Sequence, residues 1–332
     1  MKTKIIPPKL KEGDEIRIIA PSRSMSIISE DAKKIAQERL EKLRFKVSFG
    51  KNVNEQDEFN SSSVKSRLED LHEAFKDKNV KAILTVIGGF NSNQLLSFIN
   101  WELIKDNPKI LCGYSDITAL QNAIYQKTGL ITYSGPHFSS FGMKKGFEYT
   151  EEYFKKCFLD GSPFEIKTSK EWSDDAWYKD QENRNFEKNE GYLVINEGEA
   201  EGTIIGANLC TFNLLQGTEF LPSLKDTILF IEDCVEGEDE FVLNFDRDLQ
   251  SIIHQPGFEG IRGIVIGRFE HNSGMTRDKI TKIIKTKKEL DNIPVIAYAD
   301  FGHTYPITTF PVGGEAEIVA KRDNVKILIK KH

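Results

Sequence analysis

The stretch KILCGYSDITALQ, residues 109–121, carries an apolar run into Gly113, Tyr114 and Ser115 and passes at once into a helical pattern. A serine at the tip of a buried strand occupies a nucleophile's position. A sharp strand-to-helix turn lifts its hydroxyl clear of the sheet, and the helix behind it aims backbone N–H groups at a developing oxyanion. Gly113 permits the tight backbone, although GYSDI lacks the second glycine of the G-x-S-x-G pattern. Ser115 and Asp116 also suit a plainer task, because both residue types cap helix N-termini.

A nucleophilic serine requires a base and an acid to orient it. Six histidines are available. His72, inside an amphipathic pattern, and His332, the last residue, read as surface positions, and His254 sits where it could cap helix carbonyls. His303 follows IPVIAYADFG, at the carboxyl end of an apolar strand, while His137 in YSGPHF and His271 in RFEHNSG also lie beyond strand-like runs. Glu232 and Asp233 terminate the run TILFI. Carboxylates there serve either as site residues or as helix caps, and spacing does not separate the two. The residues alone therefore reach a Ser, Glu or Asp, and His set at three strand ends.

The elements that must position this set alternate. EIRIIAPS, FKVSF, VKAILTVIGG and KILCGYS read as strands, and Ile35, Ala36, Leu40 and Leu43, then Val64, Leu68, Leu71 and Phe75, fall at helical spacing between them. Strands joined through helices imply parallel crossovers in an open sheet covered on both faces, with ligands beyond the carboxyl ends of the strands. The ends of interest are APSRS, IGGFNSN and GYSDIT. The expected fold is α/β: an N-terminal parallel, doubly wound, flavodoxin-like domain over 1–160, a connecting segment over 161–201 with no clean period, and a smaller mixed α/β domain over 202–332.

Composition narrows the function. A length of 332 residues favours two domains, and a net charge of -6 argues against a nucleic acid polymer as partner. No apolar run reaches the length of a membrane span, and Pro7 and Pro8 interrupt the N-terminal apolar residues, against a secretory signal. Cys112, Cys157, Cys210 and Cys234 are scattered without metal-ligand spacing, so buried free thiols in a cytoplasmic protein are expected, with no metal and no cofactor. IGGFNSN lacks both the G-x-G-x-x-G spacing and the lysine of a P-loop, against a nucleotide-binding fold of either kind.

In order along the chain, IIAPS, VIGGFNSNQLL, KILCGYSDITALQNAIY, LITYSGPH, GANLCTF, LFIEDC and ADFGHT resemble the LD-carboxypeptidase family of serine peptidases. WSDDAWYKDQENR resembles the aromatic loop of its microcin-immunity branch. The resemblance implies Ser115 as nucleophile, Glu232 as acid and His303 as base, with backbone N–H groups of Asp116 and Gly89 as oxyanion donors. A histidine base of ordinary pKa would make activity decline as pH falls through roughly 6 to 7. The resemblance further implies substrate contacts from Gly88, Asn91, Asn208 and Arg23, and stacking of Trp177, and less so Trp172, on a nucleobase. Asn208 equally suits a helix cap, and the tryptophans equally suit pinning the loop to the body. The implied substrate is an acidic aminoacyl nucleotide, the alternative a muropeptide ending in D-alanine. A homodimer is implied in the same way.

Overall fold

The computed structural model describes residues 3–235 and 240–332. Its first half alternates as the periodicity predicts. Strand β1 (Glu15–Ile19) leads to helix α1 (Glu30–Lys42), which Ser29 caps by accepting from the Ala32 N–H. The acidic first turn and basic last turn of α1 suit the helix dipole. Then come β2 (Lys46–Phe49), α2 (Val64–Lys76), capped by Ser63, β3 (Val80–Thr85) and α3 (Trp101–Asp106). The half closes with β4 (Ile110–Gly113), α4 (Ile117–Thr128), β5 (Thr132–Ser134) and α5 (Glu148–Phe158).

These five strands are parallel and lie in the order β5-β4-β3-β1-β2. Successive strands turn one way from β1 to β2 and the other way from β3 onward. That reversal opens a crevice between the loops after β1 and β3, where open α/β sheets bind ligands.

The segment 161–201 is not structureless. It forms β6 (Phe164–Glu165), β7 (Glu171–Trp172), β8 (Glu187–Lys188) and β9 (Leu193–Asn196). Strands of two residues pair through the backbone and leave no side-chain period to read. The C-terminal half contributes β10 (Gly198–Asn208), α6 (Leu209–Asn213), β11 (Thr227–Glu232), α7 (Phe241–Ile253), β12 (Ile261–Gly267), α8 (Arg277–Lys285) and β13 (Val295–Ala299). It ends with β14 (Phe310–Val312), β15 (Glu315–Lys321) and β16 (Asn324–Lys331). An eight-stranded sheet runs β6-β16-β15-β10-β11-β12-β13-β9, with β10 to β13 parallel at its centre and antiparallel pairs outside them. The strands β7 and β8 pair separately.

β14 departs from this order. It leaves the second sheet and pairs antiparallel with β5, completing a six-stranded first sheet. Phe310 on β14 brings its ring to 4.9 Å from Phe230 of β11 and 5.1 Å from Phe301. One apolar cluster therefore joins residues of both sheets. None of the helices among the described residues is long and apolar enough to cross a membrane.

Candidate active site

Ser115 stands between β4 and α4 with a φ of 60°, left-handed backbone that a non-glycine residue adopts only under constraint. Its turn is pinned from below. Gln121 donates from Nε2 to the carbonyls of Gly113 and Tyr133, at 2.8 and 2.5 Å. The Asp116 carboxylate makes no side-chain cap to α4. It accepts instead from Ser22 Oγ at 2.5 Å and from the Ser92 N–H at 2.9 Å, tying the loops after β1 and β3 to the start of α4. The capping expected of Ser115 and Asp116 is thus not what their side chains do, because left-handed backbone at Ser115 turns its hydroxyl away from the helix.

That hydroxyl meets His303. Ser115 Oγ is 3.1 Å from His303 Nε2, and His303 Nδ1 is 2.8 Å from Glu232 Oε2. Glu232 ends β11 and is buried at 1% exposure. Gly302, with φ +108°, gives it room: a Cβ there would fall 2.7 Å from Glu232 Oε2. Asn208 caps α6 through Oδ1 and donates from Nδ2 to Glu232 Oε1 at 3.3 Å and to Asp233 Oδ1 at 3.2 Å. The strand ends of β4, β11 and the loop after β13 so converge on one hydrogen-bonded line.

Charge decides the resting state of this line. Burial by itself would push the His303 ring down, but the Glu232 carboxylate and then Cys234 beside it prevail and hold it well above the usual histidine value. Burial and the neighbouring Glu232 push Asp233 up to about 7. His137 is a different case. Burial drives it down to about 3, a neutral ring, with Nδ1 at 2.7 Å from Thr85 Oγ1 and its face against Tyr114 at a centroid distance of 4.3 Å. His332, expected at the surface, is 3% exposed and bonded to Lys9 Nζ and the carbonyls of Cys157 and Ser162, because the last strand returns into the core. Cys112 and Cys157 are buried, whereas Cys210 and Cys234 are partly exposed.

A cleft of about 590 Å³ opens over Ser115 and His303. Gly88 and Gly89, at the end of β3, form part of its floor. A Cβ on Gly88 would sit 2.8 Å from Ser115 Cβ, so only glycine lets that backbone lie beside the serine. Arg23 lines the cleft with its guanidinium 4.8 Å over the Phe90 ring. Trp177 lines it too, at 5% exposure, with its ring edge-on to Tyr178 and Tyr305. Tyr178 beside it is 65% exposed. The tryptophans are not the exposed rings that their polar loop suggests. Trp172 in particular lies outside the cleft lining, stacked on His271 at 4.8 Å with Arg268 at 4.9 Å over its ring. The polar residues around them are occupied in holding the loop, as in Arg184 to Asp175 at 2.6 Å and Asp174 to His271 at 2.8 Å.

Asn91 is likewise engaged in the scaffold. Its Oδ1 accepts from Arg67 Nη1 at 3.0 Å and Ser61 Oγ at 3.3 Å, and the side chain does not line the cleft. Conversely, Tyr114, Tyr305, Cys234 and Glu270 line it without having been singled out from the sequence. Tyr114, beside Ser115, and Cys234, beside Asp233, were within reach. Tyr305 and Glu270 follow apolar strands too loosely to be told from ordinary loop residues. No group of acidic, histidine or cysteine side chains suited to a metal ion occurs among the described residues.

A parallel α/β sheet that presents a serine on a strained turn, facing a histidine and a buried carboxylate from a second sheet, defines a serine-type hydrolase. The chain belongs to the LD-carboxypeptidase family: the family's N-terminal domain matches residues 16–135 and its C-terminal domain residues 201–318. It is therefore a serine-type carboxypeptidase by family. It is 58% identical over 98% of its length, and 99% of the relative's, to YocD of Bacillus subtilis (strain 168), to which a carboxypeptidase activity is ascribed. The crystal structure of an MccF-like protein from Bacillus anthracis str. Ames superposes with a TM-score of 0.98 at 54% identity, covering 99% of this chain and 100% of that one. The microcin C7 self-immunity protein MccF, from Escherichia coli, in complex with aspartyl sulfamoyl adenosine superposes with a TM-score of 0.88 at 30% identity, covering 99% of each chain.

Proposed function

We propose that the protein hydrolyses the amide between an acidic amino acid and a nucleotide-like sulfamoyl or phosphoramidate group, and so gives resistance to microcin-type toxins. The observation that carries this reading is the line from Ser115 Oγ through His303 to Glu232, at 3.1 and 2.8 Å, under a cleft walled by Trp177, Tyr178, Tyr305 and Phe90. Aromatic walls suit a flat ring such as a nucleobase. The solved MccF complex with aspartyl sulfamoyl adenosine supports the same substrate class.

Chemistry proceeds from the proton line. His303 Nε2 takes the Ser115 proton as Oγ attacks the carbonyl carbon, and Glu232 holds the ring with Nδ1–H toward itself and stabilises the imidazolium. The backbone N–H groups of Asp116 and Gly89 receive the oxyanion. His303 then returns its proton to the leaving nitrogen, and water repeats the cycle on the acyl-enzyme. In the same reading, residues 1–160 carry the nucleophile, 161–201 the aromatic loop and 202–332 the acid and base, in a cytoplasmic homodimer.

Removal of a terminal D-alanine from a muropeptide is the competing substrate class. Such a peptide offers no ring to the aromatic walls. Incubation with aspartyl sulfamoyl adenosine and, separately, with a tetrapeptide ending in D-alanine, followed by mass spectrometry, decides between them. Release of aspartate from the nucleoside is expected, and cleavage of the tetrapeptide alone would overturn the proposal.

A further inference from the structure

The cleft carries charge of both signs. Arg23, from the loop after β1, brings a positive charge, and Glu270, from the loop after β12, brings a negative one within the same lining as Ser115 and His303. Among the described residues, the Glu270 carboxylate accepts a hydrogen bond from the Val235 N–H to Oε2 at 3.1 Å. Among the described residues, the charged groups that act on it most strongly are His303, Glu232 and Asp174, and of these only His303 can be positive. That histidine is already paired with Glu232 at 2.8 Å. Burial pushes the Glu270 carboxyl up, and the Glu232 and Asp174 charges add to the shift. A half-buried carboxylate beside other carboxylates is poorly compensated by them, and a ligand that brings a cation relieves it.

Resting on the function proposed above, we infer that Glu270 determines specificity by receiving an ammonium group on the acyl side of the scissile amide. The side follows from substrate chemistry. The leaving portion is a sulfamoyl or phosphoramidate nucleotide, or an amino acid with a free carboxylate, and none of these brings a positive charge to Glu270. The acyl portion does: an aminoacyl group carries its ammonium one carbon from the attacked carbonyl. Arg23 fits the opposite role, toward an anionic group. The cleft thus selects a zwitterion.

Glu270→Gln keeps the shape of the side chain and the acceptor for Val235 while removing the charge, and Glu270→Asp keeps the charge. The substrates are aspartyl sulfamoyl adenosine and the succinyl analogue that lacks only its ammonium. For the peptide class they are a tetrapeptide ending in D-alanine whose penultimate residue bears a free or an acetylated side-chain amine. The wild-type enzyme should prefer the ammonium-bearing partner about 10- to 100-fold in kcat/KM, the range of a hydrogen bond to a charged group. Glu270→Gln should abolish that preference, read as the ratio of kcat/KM for the two partners at one pH so that any common effect on His303 cancels, and Glu270→Asp should restore part of it. A preference unchanged in Glu270→Gln, or absent from the wild type, overturns the inference and leaves the proposed function standing. Failure of the wild type to hydrolyse either class overturns both.

Discussion

Ser115 holds a φ of 60°, a conformation that costs a side chain-bearing residue about 1–3 kcal/mol. Ser115→Gly should therefore abolish hydrolysis while raising stability by about 1 kcal/mol in chemical denaturation, since glycine relieves the strain but adds chain entropy to the unfolded state. A destabilised variant would show that the turn is not strained. In the proposed mechanism the shift at His303 sets the pH dependence. A base must be neutral, and a ring held above its usual pKa stays protonated to higher pH, so activity should decline on acidification through a value above 6.5. The ordinary histidine window of roughly 6 to 7 is displaced upward because Glu232 lies within hydrogen-bonding distance. Glu232→Gln should lower kcat/KM and carry that acid limb to lower pH, read in a pH–rate profile. An unmoved limb would mean that another group titrates.

At the scale of elements, the site depends on strand ends whose loops are spaced by glycine. The carboxylate at the end of β11 lies against Gly302, beyond β13, and a Cβ at that position would press on Glu232 Oε2. Gly302→Ala should cost about 100-fold in kcat/KM, the scale of a misplacement of about 1 Å, and should move the acid limb in the same direction as Glu232→Gln. Wild-type kinetics in that variant would contradict the packing. These strand ends were readable in advance because buried parallel strands are continuous apolar runs, and IGGF, GYSD, LFIED and DFGH interrupt them abruptly. The engagement of Asn91 by Arg67 was not readable, since Arg67 belongs to α2 and reaches the loop after β3 only once the sheet is assembled. Trp172 was misplaced for a related reason. A polar stretch of sequence suggests exposed rings, but its charges pair with one another and bring the indole down onto His271 and Arg268.

Across the whole molecule, β14 crosses from the second half of the chain into the first sheet, and Phe310 packs against rings of the second. Phe310→Ala should destabilise the protein by about 3–5 kcal/mol. The loss should appear as one transition, coincident by near- and far-ultraviolet circular dichroism, because a shared core couples the sheets. Two separated transitions would show that each half stands alone. The crossing is invisible in sequence, where FPV is a run of three residues, too short to carry a period.

The sequence by itself determined the alternation of strands and helices, the serine, carboxylate and histidine at strand ends, and the family, because each of these is a local pattern of apolar period, turn chemistry and short motif. Only the tertiary structure decided that the His303 ring lies within hydrogen-bonding distance of Ser115 and that Asn208 supports Glu232 rather than the cleft. It also decided that Trp177 walls the site while Trp172 packs away from it. Those facts depend on distances between residues 188 and 24 positions apart in the chain, and such contacts are set by how two sheets pack for Ser115 and His303 and by strand register within one sheet for Asn208 and Glu232, not by any one segment.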